Sequence, residues 1–492
     1  MLKIKCIVAL IGVAALSGCI AQPPADKTAI LDLESCRLHG SSGLTSVPAE
    51  CGWFSVPENP ADPNGTSIDL FVARIPALNP RFPDSAFTLL AGGPGQAASE
   101  VYADYSSLFE RIHRYHDIVI VDQRGTGQSA ALDCPVDETE LLEFTVESAA
   151  EQAALCLEQL NGDPRYYTTS VAVADLDRVR DALGYQQLDI YGASYGTRVA
   201  QHYLKRYPGH TRTVVIDGVV PADLLLGPTI ALDAQLALEK IFQRCADDQH
   251  CNTTFPDVEA TFGNLADTLR ASALELTLPS PLSGELTTIT LDYTAFAGAV
   301  RLLSYTPATS ALLPLLFHEA SANENWAPLA AQAQMVVESL ADAISEGMHN
   351  AVVCTEDVPF FAIDANQRAA LAETYLGELQ IDILVAICNI WPSGPIDEDF
   401  HEPVKSDVPV MLLSGTADPI TPPRYATQAA EGLTNSLHIV ADGHGHGVLT
   451  RNCVPELIAE FVASATLDDL DAKCVDKERP APFFSSFSGP EP

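Results

Sequence analysis

Two rhythms of apolar and polar positions run along this chain, and the points where one gives way to the other mark its elements. Short apolar runs at 87–91, 118–121, 188–191, 214–217, 408–414 and 437–441 are each followed directly by Gly or Asp, the pattern of strands buried on both faces. Between them, Asp175, Leu176, Val179 and Leu183 mark an amphipathic helix that Gly184 ends. Val199, Ala200, Tyr203 and Leu204 repeat that spacing until Pro208 stops it. Ahead of these, 51–76 alternates around the turn-rich stretch 57–65, as an opening hairpin would. Strands alternating with helices predict an α/β chain with a mostly parallel central sheet flanked by helices.

From 221 to 393 the rhythm becomes mostly helical, over 231–245, 258–274 and 330–344, with one strand-like run at 286–291. Strand and turn signals then return. This part is therefore expected to be an inserted, mainly helical cap between a first core part at 36–220 and a C-terminal core part at 394–492. Caps so placed roof a site and select what enters it.

Composition narrows the partners. The 492 residues are 47% hydrophobic, enough to bury a large core, and 27 Lys and Arg against 65 Asp and Glu leave a net charge of −38. Such a surface repels phosphate, which argues against nucleic acid and anionic lipid as partners. At the N-terminus, Lys3 and Lys5 precede an apolar run at 6–16 that is too short to span a bilayer but has the length of a signal-peptide core. Leu16-Ser17-Gly18-Cys19 resembles a bacterial lipobox, which makes 1–18 a signal peptide, Cys19 the lipidated residue and 19–35 a Pro-rich tether. Ordinary cleavage after Ala21 is the alternative. The lipobox reading implies export from a bacterial cell as a periplasmic or outer-membrane lipoprotein, with membrane contact only through the lipid anchor. Beyond Cys6 and Cys19, ten cysteines remain: Cys36, Cys51, Cys134, Cys156, Cys245, Cys251, Cys354, Cys388, Cys453 and Cys474. They fall in close successive pairs without C-x-x-C spacing, so disulfides between sequence neighbours are expected.

The candidate chemistry follows the strands. Run 188–191 leads into Gly192-Ala193-Ser194-Tyr195-Gly196 and then a helix, the strand–turn–helix context of a G-x-S-x-G nucleophile elbow. Such a turn lifts the Ser194 hydroxyl above the sheet edge and aims the Tyr195 N–H at a developing oxyanion. Gly92-Gly93-Pro94-Gly95, directly after 87–91, is placed to supply a second N–H, assigned to Gly93. In Asp122-Gln123-Arg124-Gly125-Thr126-Gly127-Gln128-Ser129 the G-x-G lacks a third glycine and is no dinucleotide site, and Asp122 and Arg124 read as a structural pair. Asp418, just past 408–414, can orient an imidazole, and His446, in Gly443-His444-Gly445-His446-Gly447, is preferred over His444 as the base. The order Ser194, Asp418, His446 suits this architecture.

Together these motifs resemble the α/β-hydrolase peptidases of the proline iminopeptidase and tripeptidyl aminopeptidase group, including a tripeptidyl-aminopeptidase-like C-terminal region. The resemblance implies the α/β-hydrolase fold, with Ser194 as nucleophile, Asp418 as orienter, His446 as base, and Gly93 and Tyr195 at the oxyanion. Where iminopeptidases carry His before the Gly-Gly-Pro-Gly run, this chain has Ala91. It also implies an exported serine exopeptidase of aminopeptidase type, acting on peptide substrates without metal or organic cofactor. Glu356 and Asp357 are candidates for the substrate's α-ammonium. A carboxylesterase or lipase of the same fold is the first rival, and a non-catalytic cell-envelope binding protein the second.

Overall fold

The computed structural model describes residues 31–134, 145–280, 284–477 and 479–490. The expected signal segment, Cys19 and most of the tether lie outside these. Nine strands form one sheet: β1 (Glu34–His39), β2 (Ser46–Pro57), β3 (Ser67–Ile75), β4 (Ser85–Leu90), β5 (Asp117–Val121), β6 (Gln187–Ala193), β7 (Thr211–Asp217), β10 (Val410–Gly415) and β11 (Ser436–Ala441). Two more, β8 (Leu274–Pro279) and β9 (Leu286–Leu291), make a separate antiparallel pair. The order across the large sheet is β1-β2-β3-β5-β4-β6-β7-β10-β11. Its first four strands pair antiparallel, and the remaining pairings, from β5 to β11, are all parallel.

The continuous apolar runs form strands because helices cover both faces of the sheet. Along β5, Val119 and Val121 enter one hydrophobic layer while Ile118 and Ile120 enter the other. In register, Leu90 lies beside Gly192, Ala193 beside Asp217, and Gly415 beside Ala441. The ends of β4, β6, β7, β10 and β11 therefore meet along one edge, where loops of parallel α/β sheets carry ligands.

Between β7 and β10 the chain leaves the sheet for a mainly helical insertion with its own aromatic core, in which Phe262 lies 5.5 Å from Phe296 and 5.6 Å from Phe317, ring to ring. The helical window expected at 258–274 ends at Ala271. Leu274, Leu276 and Leu278 instead alternate with polar residues along β8, whose backbone is satisfied by β9. A two-residue rhythm there outranks the helical one, and the partner strand decides it.

All ten expected cysteines pair with sequence neighbours: Cys36–Cys51, Cys134–Cys156, Cys245–Cys251, Cys354–Cys388 and Cys453–Cys474. Five bridges fit an oxidising compartment. Cys354–Cys388 closes a separation of 34 residues and ties two cap helices together. Replacing both cysteines with Ser should lower the unfolding free energy by about 3 kcal/mol, read from the denaturant midpoint. An unchanged midpoint would show that the bridge adds no stability.

Candidate active site

Ser194 sits between β6 and the helix Tyr195–Arg206, with its backbone at φ 54° and ψ −122°. A residue with a side chain holds such a conformation only where its surroundings enforce it. The Ser194 N–H donates to the Asp217 carbonyl at 2.9 Å, and the Thr197 N–H donates to the Ser194 carbonyl at 2.8 Å. The helix passes so close to the sheet that a Cβ on Gly192 would lie 2.3 Å from the Gly196 carbonyl oxygen, and one on Gly196 would lie 2.2 Å from that of Leu90. Larger residues at either position would push the turn open.

Asp418 and His446 come from the loops after β10 and β11. The His446 Nδ1 lies 2.9 Å from Asp418 Oδ2 and 3.1 Å from Oδ1. Asp418 also accepts the N–H groups of Ile420 and Thr421, each at 2.8 Å, and the Thr421 hydroxyl at 2.8 Å. Burial alone would raise the Asp418 pKa, but the His446 charge and these hydrogen bonds hold it below the usual carboxylate value. Burial pushes His446 down, and Asp418 outweighs it, so the imidazole ends above its ordinary value. Facing a carboxylate, Nδ1 carries the proton, which leaves the Nε2 lone pair for a hydroxyl. His444 has no such partner: burial lowers it to about 4, and its Nδ1 makes no hydrogen bond among the described residues.

Ser194, Gly93, Tyr195 and His446 line one cavity of about 470 Å³. Ser194 and His446 meet there as walls of a shared space rather than as a hydrogen-bonded pair; such contacts commonly tighten when substrate binds. Neither the Gly93 nor the Tyr195 N–H donates to a protein acceptor among the described residues, so both remain available to a ligand oxygen. The cap adds Ile230, Tyr305, Val353 and Leu384, a largely apolar roof. A hydroxyl, an imidazole and a carboxylate disposed in this way can perform nucleophilic acyl transfer.

Glu356 and Asp357 do not reach this cavity. Both side chains are completely buried. Asp357 grips Arg198 through both oxygens, at 2.8 and 3.0 Å, and accepts the Leu226 N–H at 2.8 Å. Glu356 accepts the Thr169 N–H at 2.6 Å and its hydroxyl at 2.9 Å, and burial pushes its pKa up to about 7. The α-ammonium role expected for them does not fit this placement: their oxygens already join the cap to the elbow helix. Asp122 and Arg124 are structural but not paired with each other. Asp122 holds Ser99 and Gln128, whereas Arg124 pairs with Asp175 at 2.6 Å.

One residue at the site drew no attention in the sequence beyond its place at a strand end. Asp217 accepts the N–H groups of Val448 and Leu449 and the Tyr191 hydroxyl, at 2.9 Å in the shortest contacts, while its carbonyl holds Ser194. Burial raises its carboxyl to about 6. It thus fastens the loop carrying His446 to the turn carrying Ser194. An acid closing an apolar strand was the available signal, but only the register beside Ala193 gives it meaning.

A family model described as "TAP-like protein" matches residues 373–474, the stretch that holds Asp418 and His446. The sheet order and the loops gathered on its edge are those of the α/β-hydrolase fold, and residues 373–474 form a TAP-like region within it. Over 484 residues, 89% of this chain and 90% of the relative, the chain is 25% identical to Serine protease Hip1 of Mycobacterium tuberculosis. It is 24% identical over 483 residues to Tripeptidyl aminopeptidase of Streptomyces lividans, covering 88% and 85%. It is also 27% identical over 476 residues to Carboxylesterase B of Mycobacterium tuberculosis, covering 89% of each.

The pKa directions set a pH dependence. A base must be neutral to accept a proton, so kcat/KM for a reaction in which His446 acts as base should rise with pH through a midpoint above the ordinary imidazole value of about 6.5. Asp418→Asn removes the charge that raises His446, so the midpoint should fall, and kcat should drop by about 10⁴-fold. A variant with an unshifted midpoint would exclude Asp418 as the partner that tunes the base.

Proposed function

We propose that this chain is an exported serine exopeptidase of aminopeptidase type, removing residues or short peptides from a free N-terminus through an acyl-enzyme. The observation that carries the reading is His446, held 2.9 Å from the buried Asp418 and sharing a cavity with a serine held at φ 54°. Ser194 attacks the scissile carbonyl as His446 takes its proton. The Gly93 and Tyr195 N–H groups receive the oxyanion, His446 protonates the leaving nitrogen, and water then repeats the sequence to release the acyl group. The peptide class and the free N-terminus are supported by the relatives named serine protease and tripeptidyl aminopeptidase. The relative named carboxylesterase supports the second reading, ester hydrolysis at the same site.

Ser194→Ala should lose about 10⁵-fold or more in kcat, together with labelling by a fluorophosphonate probe. A folded wild-type protein that resists the probe would point to the binding-protein alternative. Peptide amides with a free N-terminus should outpace both their N-acetylated forms and short-chain esters. Equal rates with and without the acetyl group would overturn the aminopeptidase assignment.

Export and anchoring belong to the same proposal, with Cys19 as the lipid-bearing residue after a signal peptide at 1–18 and the mature protein in the periplasm or at the outer membrane. Cys19→Ala should move the protein from the membrane fraction to the soluble one when the gene is expressed in a bacterial host. Retention in membranes would remove the lipid anchor from the reading.

A further inference from the structure

The cavity contains a cation with no ionic partner. Arg301, in the last turn of the cap helix Tyr293–Leu303, is the one Lys or Arg among the described lining residues. Its Nη2 donates to the Tyr305 hydroxyl at 3.2 Å, its Nε is buried with no hydrogen bond, and it forms no ion pair with any described carboxylate. Acids outnumber bases 65 to 27 in this chain. Arg124, Arg180 and Arg198, buried elsewhere in the fold, each hold an Asp, while Arg244, whose buried guanidinium nitrogens make no hydrogen bond among the described residues, lies outside this cavity. A guanidinium left unpaired in a ligand cavity matches the planar, two-oxygen geometry of a carboxylate.

Its position says which part of a substrate it meets. The Tyr305 ring packs edge-on against the His446 imidazole, 5.3 Å between centroids, and the Tyr305 carbonyl accepts the His446 N–H at 2.7 Å. Arg301 lies against the same tyrosine, its guanidinium carbon 5.8 Å from the ring centre. The base delivers its proton to the leaving atom, so groups beside His446 border the leaving part of the substrate. In a peptide cut one residue from its end, the α-carboxylate lies two bonds from the leaving nitrogen. The carboxylates near the cavity cannot compete for Arg301, because Asp217 and Asp418 are already hydrogen-bonded to the loops they hold.

We propose that Arg301 selects leaving groups that carry a free carboxylate next to the scissile bond, so that preferred substrates are short peptides ending one residue beyond the cut. The proposal rests on the acyl-transfer reading of the site and refines its substrate class. A cation in the last turn of a helix is favourable for the helix itself. A lysine would serve that purpose equally, whereas the two-oxygen geometry of a carboxylate is matched best by the arginine fork.

The test uses the full mature enzyme and two peptides identical up to a terminal alanine, one ending as the free acid and one as the amide, with a neutral anilide as control. Wild type should favour the acid by about 10-fold or more in kcat/KM. Arg301→Gln should bring that ratio to about one, losing on the order of 30-fold on the acid while the anilide changes only a few-fold. Arg301→Lys should restore part of the preference. Ratios on one enzyme are read because Arg301 also opposes protonation of His446, which moves all rates together. A wild-type ratio near one, or a ratio that Arg301→Gln leaves intact, would overturn the proposal. If neither peptide is cut but esters are, the peptidase reading fails and the same comparison is made with lactate and lactamide as leaving alcohols. An acid-to-amide preference there that depends on Arg301 upholds the assignment, and equal rates overturn it.

Discussion

A serine held with positive φ at the carboxyl edge of a parallel sheet is the constraint from which the rest of the site takes its shape. Holding it requires a helix that starts within contact of the strand before it, and that approach is possible only where Gly192 and Gly196 present no side chain. It also requires an acceptor for the Ser194 N–H, which the end of β7 supplies through the Asp217 carbonyl. The same residue's carboxylate holds the loop after β11. One strand end thus sets the spacing between the hydroxyl and the imidazole, and a change in its register would displace both.

The cap is more than a roof. The helix Glu346–Glu356 is buried along most of its length, and at its end Glu356 and Asp357 close over Arg198, which lies one turn into the elbow helix. A buried cluster of this kind adds little net stability, because desolvation offsets much of the attraction, yet removing one partner typically costs about 3 to 5 kcal/mol. It is therefore better understood as a device that specifies how the cap seats on the core. A second seat lies at Tyr305, whose carbonyl receives the His446 N–H. Cap and core together determine the walls of the cavity and the orientation of the His446 imidazole.

Much of the core and its candidate chemistry was legible because each signal was local. Apolar runs followed by Gly or Asp marked the parallel strands, and the five-residue elbow, the loop bearing Asp418 and the loop bearing His446 each stood directly after one. The cysteines were legible for a similar reason, since each pairs with its nearest neighbour in sequence. The cap was less so. Leu274 fits a helical rhythm and a strand rhythm alike, and β9 settles which applies. Glu356 and Asp357 looked available to a substrate because two adjacent acids give no sign that an arginine some 159 residues earlier will cover them.

The chain by itself determined that an α/β sheet would form with three chemistry-bearing loops on one edge, because strand periodicity and turn residues act over a few positions. Charge partnership was beyond its reach. Which acids would be neutralised, which arginine would be left unpaired in the cavity, and how Asp217 would join two loops all depend on contacts between residues tens to hundreds of positions apart. In a buried site the strength of a charge is set by what surrounds it, so only the tertiary structure could decide these.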